Sequence, residues 1–180
     1  KGEIETPALP PSTLYRYLAT LDLRQPGVRK EQKRYECRFA NEMWQSDVMH
    51  GPYLPHQEGE NARKTYLFAI LDDASRLIVG AGFYPTEKLL HLKQVFRQAV
   101  QTYGVPSKFY VDNGKIFQAH EMEIACAKIG TSLIYATPYY PEGKGKIERF
   151  FRSVRDRFLT GLKNIKSLAV LNTEFRALLV

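Results

Sequence analysis

Cysteine, acidic charge and long apolar runs are in short supply in this chain. Its two cysteines, Cys37 and Cys126, form no metal-type spacing and no disulfide framework. They suit a reducing compartment, although two thiols leave one bridge open. His50, His56, His91 and His120 do not pair with them at zinc-ligand spacing. No apolar run is long enough to span a membrane, and Lys1-Gly2-Glu3 does not begin a signal peptide. Nineteen acidic residues face 26 basic ones, giving a net charge of +7. That balance suits a polyanionic partner but says nothing about fold. No internal repeat or low-complexity segment is visible. The chain starts without Met and ends in an apolar helix-like run, as expected of a piece excised from a longer protein.

What is present is ordinary globular content, 44% hydrophobic over 180 residues. That is enough for one domain with a core and a fragment of a second. The most informative stretch is Gly143 to Leu159. Ile147, Phe151, Val154 and Phe158 recur at helical spacing and predict a face turned to a core. Lys144, Glu148, Arg152 and Arg155 fall close to one other stripe. The plain reading of that stripe is a solvated face with Lys144–Glu148 and Glu148–Arg152 pairs, worth roughly 0.2–0.5 kcal/mol each. The approach, Pro138-Tyr139-Tyr140-Pro141, reads as a mobile or closely packed loop.

In chain order, residues 1–40 predict a helix with Ser12 as N-cap, carrying Leu14, Tyr17, Leu18 and Leu21 on one side, then a basic linker. The helix is either a remnant of a helix-turn-helix reader or a short packing helix. Residues 41–162 carry the globular pattern. Trp44 to His50 is a strand ended by Gly51-Pro52, followed by a polar loop to Ala62. Thr65–Leu71 and Arg76–Tyr84 form a hairpin around Asp72 and Asp73, which read as turn residues. Glu87–Tyr103 is a helix closed by Gly104, Lys108–Asp112 a strand, Glu121–Ile129 a helix and Thr131–Ala136 a strand. Residues 163–180 read as the start of a C-terminal segment. Strands alternating with helices predict an α/β layer with helices on both faces.

Three carboxylates then stand out. Asp47 and Asp112 are placed at strand ends, and Glu148 on a helix that follows the sheet. Gathered at one edge they would repel one another without cations. All-oxygen ligands point to Mg²⁺ or Mn²⁺ rather than Zn²⁺. Two such ions about 3.5–4 Å apart stabilise both oxygens of an in-line phosphoryl displacement.

Four pieces, Trp44-Gln45-Ser46-Asp47, Leu71-Asp72-Asp73-Ala74-Ser75-Arg76, Val111-Asp112-Asn113-Gly114 and Pro141-Glu142-Gly143-Lys144-Gly145-Lys146-Ile147-Glu148-Arg149, occur in that order. Thirty-five residues separate Asp112 from Glu148. Together they resemble the catalytic core of DDE transposases and retroviral-type integrases, above all the bacterial insertion-sequence transposases, over roughly Asn41 to Leu159. The resemblance implies a ribonuclease-H-like fold, a five-stranded mixed sheet flanked by helices. It implies a polynucleotidyl transferase that nicks a transposon end and joins the freed 3′-hydroxyl to target DNA, using two Mg²⁺ (or Mn²⁺) ions. Asp47 would bridge both ions, with Asp112 and Glu148 each holding one. Asn113 and Gly114 would shape the turn beyond Asp112. Lys144, Lys146, Arg149, Arg152 and Arg155 would contact DNA. The partners implied are transposon ends, target DNA and further copies of the chain, with no membrane, in the bacterial cytoplasm at the nucleoid.

Two rival readings remain: a structure-selective nuclease on the same fold, and a non-catalytic DNA-binding module whose carboxylates are caps and salt bridges. A tyrosine recombinase is disfavoured, since Tyr139 and Tyr140 have no His-x-x-Arg to activate them.

Overall fold

The computed structural model describes residues 10–20, 36–55, 62–114, 116–117, 120–136, 144–162, 165 and 167–179. The chain divides into two compact units, Lys1–Arg34 and Tyr35–Val180. In the first unit, the described element is helix α1 (Pro11–Thr20). It begins with Pro11 rather than after Ser12 as cap. Proline suits that first position because its missing N–H has no helical acceptor there. Tyr17 and Leu18 are exposed. The predicted basic linker lies outside the described residues.

The second unit is built on a five-stranded sheet in the order β3-β2-β1-β4-β5. Its strands are β1 (Met43–Leu54), β2 (Arg63–Asp72), β3 (Ile78–Tyr84), β4 (Lys108–Val111) and β5 (Ser132–Tyr135). β1, β2 and β3 are antiparallel neighbours, while β4 runs parallel to β1 and β5 parallel to β4. The mixed α/β fold expected from the sequence is therefore present.

β1 is longer than the sequence predicts. It runs through Gly51-Pro52, where the register with β2 shifts between His50 and Tyr53. A bulge tolerates proline's missing donor. The Thr65 hydroxyl donates to the Pro52 carbonyl at 2.8 Å, and a Cβ on Gly51 would stand 2.4 Å from that hydroxyl oxygen. One consequence is that Asp47 lies inside β1, opposite Ala69, and not at the strand's end. Asp112 does follow the last residue of β4.

Strand alternation sorts side chains to two faces. On one, Trp44, Phe68, Ile70, Phe109 and Val111 pack with Leu92, Val95, Phe96 and Ala99 of α2 (Leu89–Tyr103) and with Met122 and Cys126 of α3 (His120–Lys128). On the other, Met49, Leu67, Ala69, Leu71 and Phe83 pack with α4 (Gly145–Ser153) and α5 (Leu168–Leu179). Ile147, Phe151, Val154 and Phe158 are all buried here, as their spacing predicts. After Ser153 the helix widens into a π-helical turn, Val154–Phe158, and then tightens into a 3₁₀ turn, Leu159–Gly161. The segment after residue 162 supplies α5 to this same core. Leu171 and Phe175 are fully buried, and Asn172 exchanges hydrogen bonds with the backbone of Phe83.

Candidate active site

Gln45, Asp47 and Met49 share the face of β1 turned towards α4, by the alternation that sends Trp44 to the other side. Asp47 is three-quarters or more shielded and accepts a hydrogen bond from the Val48 amide at 2.9 Å. Asp112 sits in the turn after β4. The Gly114 amide donates to its Oδ1 at 2.8 Å. A Cβ on Gly114 would lie 2.7 Å from that oxygen, so the turn needs glycine for close approach. Asn113 ties the same turn to β5 by donating to the Ala136 carbonyl at 2.7 Å.

Lys144 joins the two aspartates. Its Nζ lies 3.3 Å from Oδ1 of Asp47 and 3.2 Å from Oδ2 of Asp112, with only 15% of its side chain exposed. Burial pushes the Asp47 carboxyl above its usual range. The Lys144 charge and the Val48 amide oppose that shift, and the neighbouring Asp112 charge adds to it.

Glu148 occupies the first turn of α4, exposed, with its amide donating to the Lys144 carbonyl at 3.0 Å. It faces the same cleft as Asp47. That cleft, of about 330 Å³, is lined by Asp47, Val48, Met49, Glu148, Phe151, Arg152 and Arg155. Asp47 thus meets Asp112 through Lys144 and shares the cleft with Glu148. Among the described residues no three His, Cys, Asp or Glu side chains are drawn close enough to form a ready metal cage. The donor set is all carboxylate oxygen, and two of its members already converge on one cationic nitrogen, so the pair has the chemistry to hold a hard cation.

The five basic residues expected at DNA separate into two groups. Arg152 and Arg155 line the cleft, and Arg149 is exposed on α4. Lys144 and Lys146 do not lie on an outer stripe. Lys144 is turned inward to the aspartates, because they repel each other and it is the cation within reach. Lys146 pairs at 2.6 Å with Asp73, whose side chain is fully buried. Asp73 also accepts hydrogen bonds from the Cys37 amide and from Gln45 Nε2. The expected Lys144–Glu148 pair is thereby replaced.

Asp73 is the residue that sequence reasoning missed. Asp72 behaves as a turn residue, accepting from the Ser75 amide and hydroxyl. Asp73 instead anchors the start of α4 to the hairpin. The available signal was Gln45, two residues before Asp47 and so on the same strand face. Tyr139, Tyr140 and the rest of the approach loop lie outside the described residues.

Comparison with known proteins bears on the fold and the family. The TnsB C-terminal domain family matches residues 82–164. The transposase for transposon Tn552 of Staphylococcus aureus is 31% identical over 160 residues, 80% of this chain and 33% of the relative. The chain therefore spans about a third of that relative's length. The crystal structure of the bovine immunodeficiency virus integrase catalytic core superposes with a TM-score of 0.61 at 26% identity. That match covers 78% of this chain and 82% of the other. The HTLV-2 integrase core, solved in complex with magnesium, has the same fold, with a TM-score of 0.58 at 21% identity over 76% of this chain and 83% of that one. In sequence and fold this chain is similar to the cores of DDE transposases and retroviral integrases. Its sheet and flanking helices are the ribonuclease-H-like architecture of that group.

Proposed function

We propose that this chain is the catalytic core of a two-metal-ion polynucleotidyl transferase that nicks transposon ends and joins them to target DNA. The observation that carries the reading is the placement of Asp47. It shares a cation with Asp112 through Lys144 and a cleft with Glu148, Arg152 and Arg155. Transposase and integrase relatives support the broader assignment to DNA transposition and integration.

In this reading Asp47, Asp112 and Glu148 hold two Mg²⁺ (or Mn²⁺) ions, and the magnesium complex of the HTLV-2 core supports that metal class. When bound, the metal supplies Lewis-acid stabilisation of the attacking and leaving oxygens. The protein's own part is positional. β1 and the Gly114 turn fix the two aspartates, and α4 with the π-helical turn after it brings Glu148, Arg152 and Arg155 to one cleft. Arg152 and Arg155 hold phosphates there by charge rather than by reading bases. Arg149 extends this surface. Joining acts on two DNA ends, so the working form is a multimer on DNA, at the nucleoid of a bacterial cytoplasm.

The test is a Mg²⁺-dependent nicking and joining assay on the element's own end sequence with the full-length protein. Joined product that disappears with EDTA and with Glu148→Gln supports the reading. Nicking of branched DNA without any joining would favour a structure-selective nuclease. DNA binding with neither activity would favour a binding module.

A further inference from the structure

Lys144 stands where a DNA-contacting residue was expected to face outward, yet its ammonium lies between Asp47 and Asp112 at 3.3 and 3.2 Å. Resting on the metal-site reading above, we propose that Lys144 is a tethered cation that guards the aspartate pair and is expelled by the incoming metal.

The physical argument has three parts. Two carboxylates sharing a partly shielded site repel each other, and a positive charge between them removes that cost. Lysine suits a removable guest, because its ammonium is a compact point charge on a flexible stem and makes no bidentate fork. A divalent ion carries twice its charge and prefers the same carboxylate oxygens, so the two compete for one place. Metal affinity is then reduced by the fraction of molecules in which Lys144 has already left.

Expulsion also has a direction. Lys144 immediately precedes α4, and its carbonyl accepts the Glu148 amide at 3.0 Å. Its release therefore frees an ammonium one turn before Glu148, beside the cleft lined by Arg152 and Arg155. A charge tied up inside the protein becomes available to phosphate only once the metal is in place. The residue thereby couples metal loading to DNA engagement. Lys146, two residues on, is held by the buried Asp73 and stays in place.

Two measurements on the full-length protein test this. The first is brief amine acetylation of the wild type, read at single lysines by mass spectrometry. Labelling at Lys144 is expected to rise several-fold when Mg²⁺ is added, while Lys93, paired with Glu121 on α3, stays constant. Unchanged or lower labelling of Lys144 overturns the proposal. The second is Mn²⁺ binding, followed by electron paramagnetic resonance of the free ion. Lys144→Met is expected to bind Mn²⁺ roughly tenfold more tightly if Lys144 is out in about one molecule in ten, whereas Lys144→Arg, which keeps the charge, gains less. Equal or weaker binding by Lys144→Met overturns the proposal while Asp112→Asn still weakens binding. If Asp112→Asn also leaves Mn²⁺ affinity unchanged, the carboxylate reading itself fails.

Discussion

The two faces of the sheet are made by the same strands and do different work. Towards α2 and α3, Trp44, Phe68, Phe96 and Phe109 form an apolar layer, with ring centroids 6.2 Å apart for Trp44–Phe96 and 4.5 Å for Phe96–Phe109. Towards α4, the apolar layer of Ile147, Phe151 and Leu67 gives way near β1 to Gln45, Asp47 and Asp73. A strand's two-residue alternation is enough to divide them. Trp44 stabilises one face while its neighbours Gln45 and Asp47 serve the other. Stability and chemistry are thus separable by face, and substitutions can break one without the other.

The largest effect belongs to the apolar face. Trp44→Ala removes a fully buried ring, and its cost is about 3–5 kcal/mol in chemical unfolding, with no change in the metal-induced shift of the remaining folded protein. A smaller loss, about 3 kcal/mol, is expected from Lys146→Met, because it leaves the Asp73 charge buried without that partner. Adding Asp73→Asn to Lys146→Met should recover part of the loss in the same assay. If the single change proves neutral, Lys146 is not an anchor.

Next comes a pH effect on the apolar face. Burial pushes the Cys126 thiol up to about 11, against an unfolded value of 9.0. The folded state then keeps a proton that the unfolded state loses. That contribution is complete below pH 9 and fades as pH rises through 11, by about 3 kcal/mol at most. Cys126→Ala should flatten this limb of an alkaline stability curve, and an unchanged limb would assign it to other groups. The smallest effect is at the cleft rim. Arg152→Ala should weaken DNA binding about equally on any sequence and lower the salt slope by roughly one. An unchanged slope would return Arg152 to the solvated surface.

Much of this contrast is legible in the sequence. The helical recurrence of Ile147, Phe151, Val154 and Phe158 marks a buried face whatever the partner, and alternation marks the strands. The three carboxylates are singled out by resemblance to the family's motif, in which their order and the 35 residues between Asp112 and Glu148 recur. What the sequence hides is pairing between residues far apart in the chain. Nothing local to Asp73 distinguishes it from the turn residue Asp72, since its partners are Cys37, Gln45 and Lys146. Lys144 and Lys146 look alike in the sequence, two lysines either side of Gly145, but one precedes the helix and the other lies within it, and they find different aspartates. Likewise, Gly51-Pro52 reads as a strand end because proline lacks a donor. The bulge that absorbs it depends on Thr65 from the next strand.

The central claim is that the polar face holds metal through its carboxylates, and Asp112→Asn tests it most directly. The substitution removes one charge and keeps the shape. Melting curves of the wild type and the variant are compared in EDTA and across a Mn²⁺ titration. The account predicts that the variant is as stable as the wild type in EDTA, or slightly more so. Mn²⁺ should raise the wild-type melting temperature, because it binds only the folded state, and should raise that of the variant less. A variant that melts lower in EDTA, with the same response to Mn²⁺ as the wild type, would make Asp112 a structural cap and contradict the account.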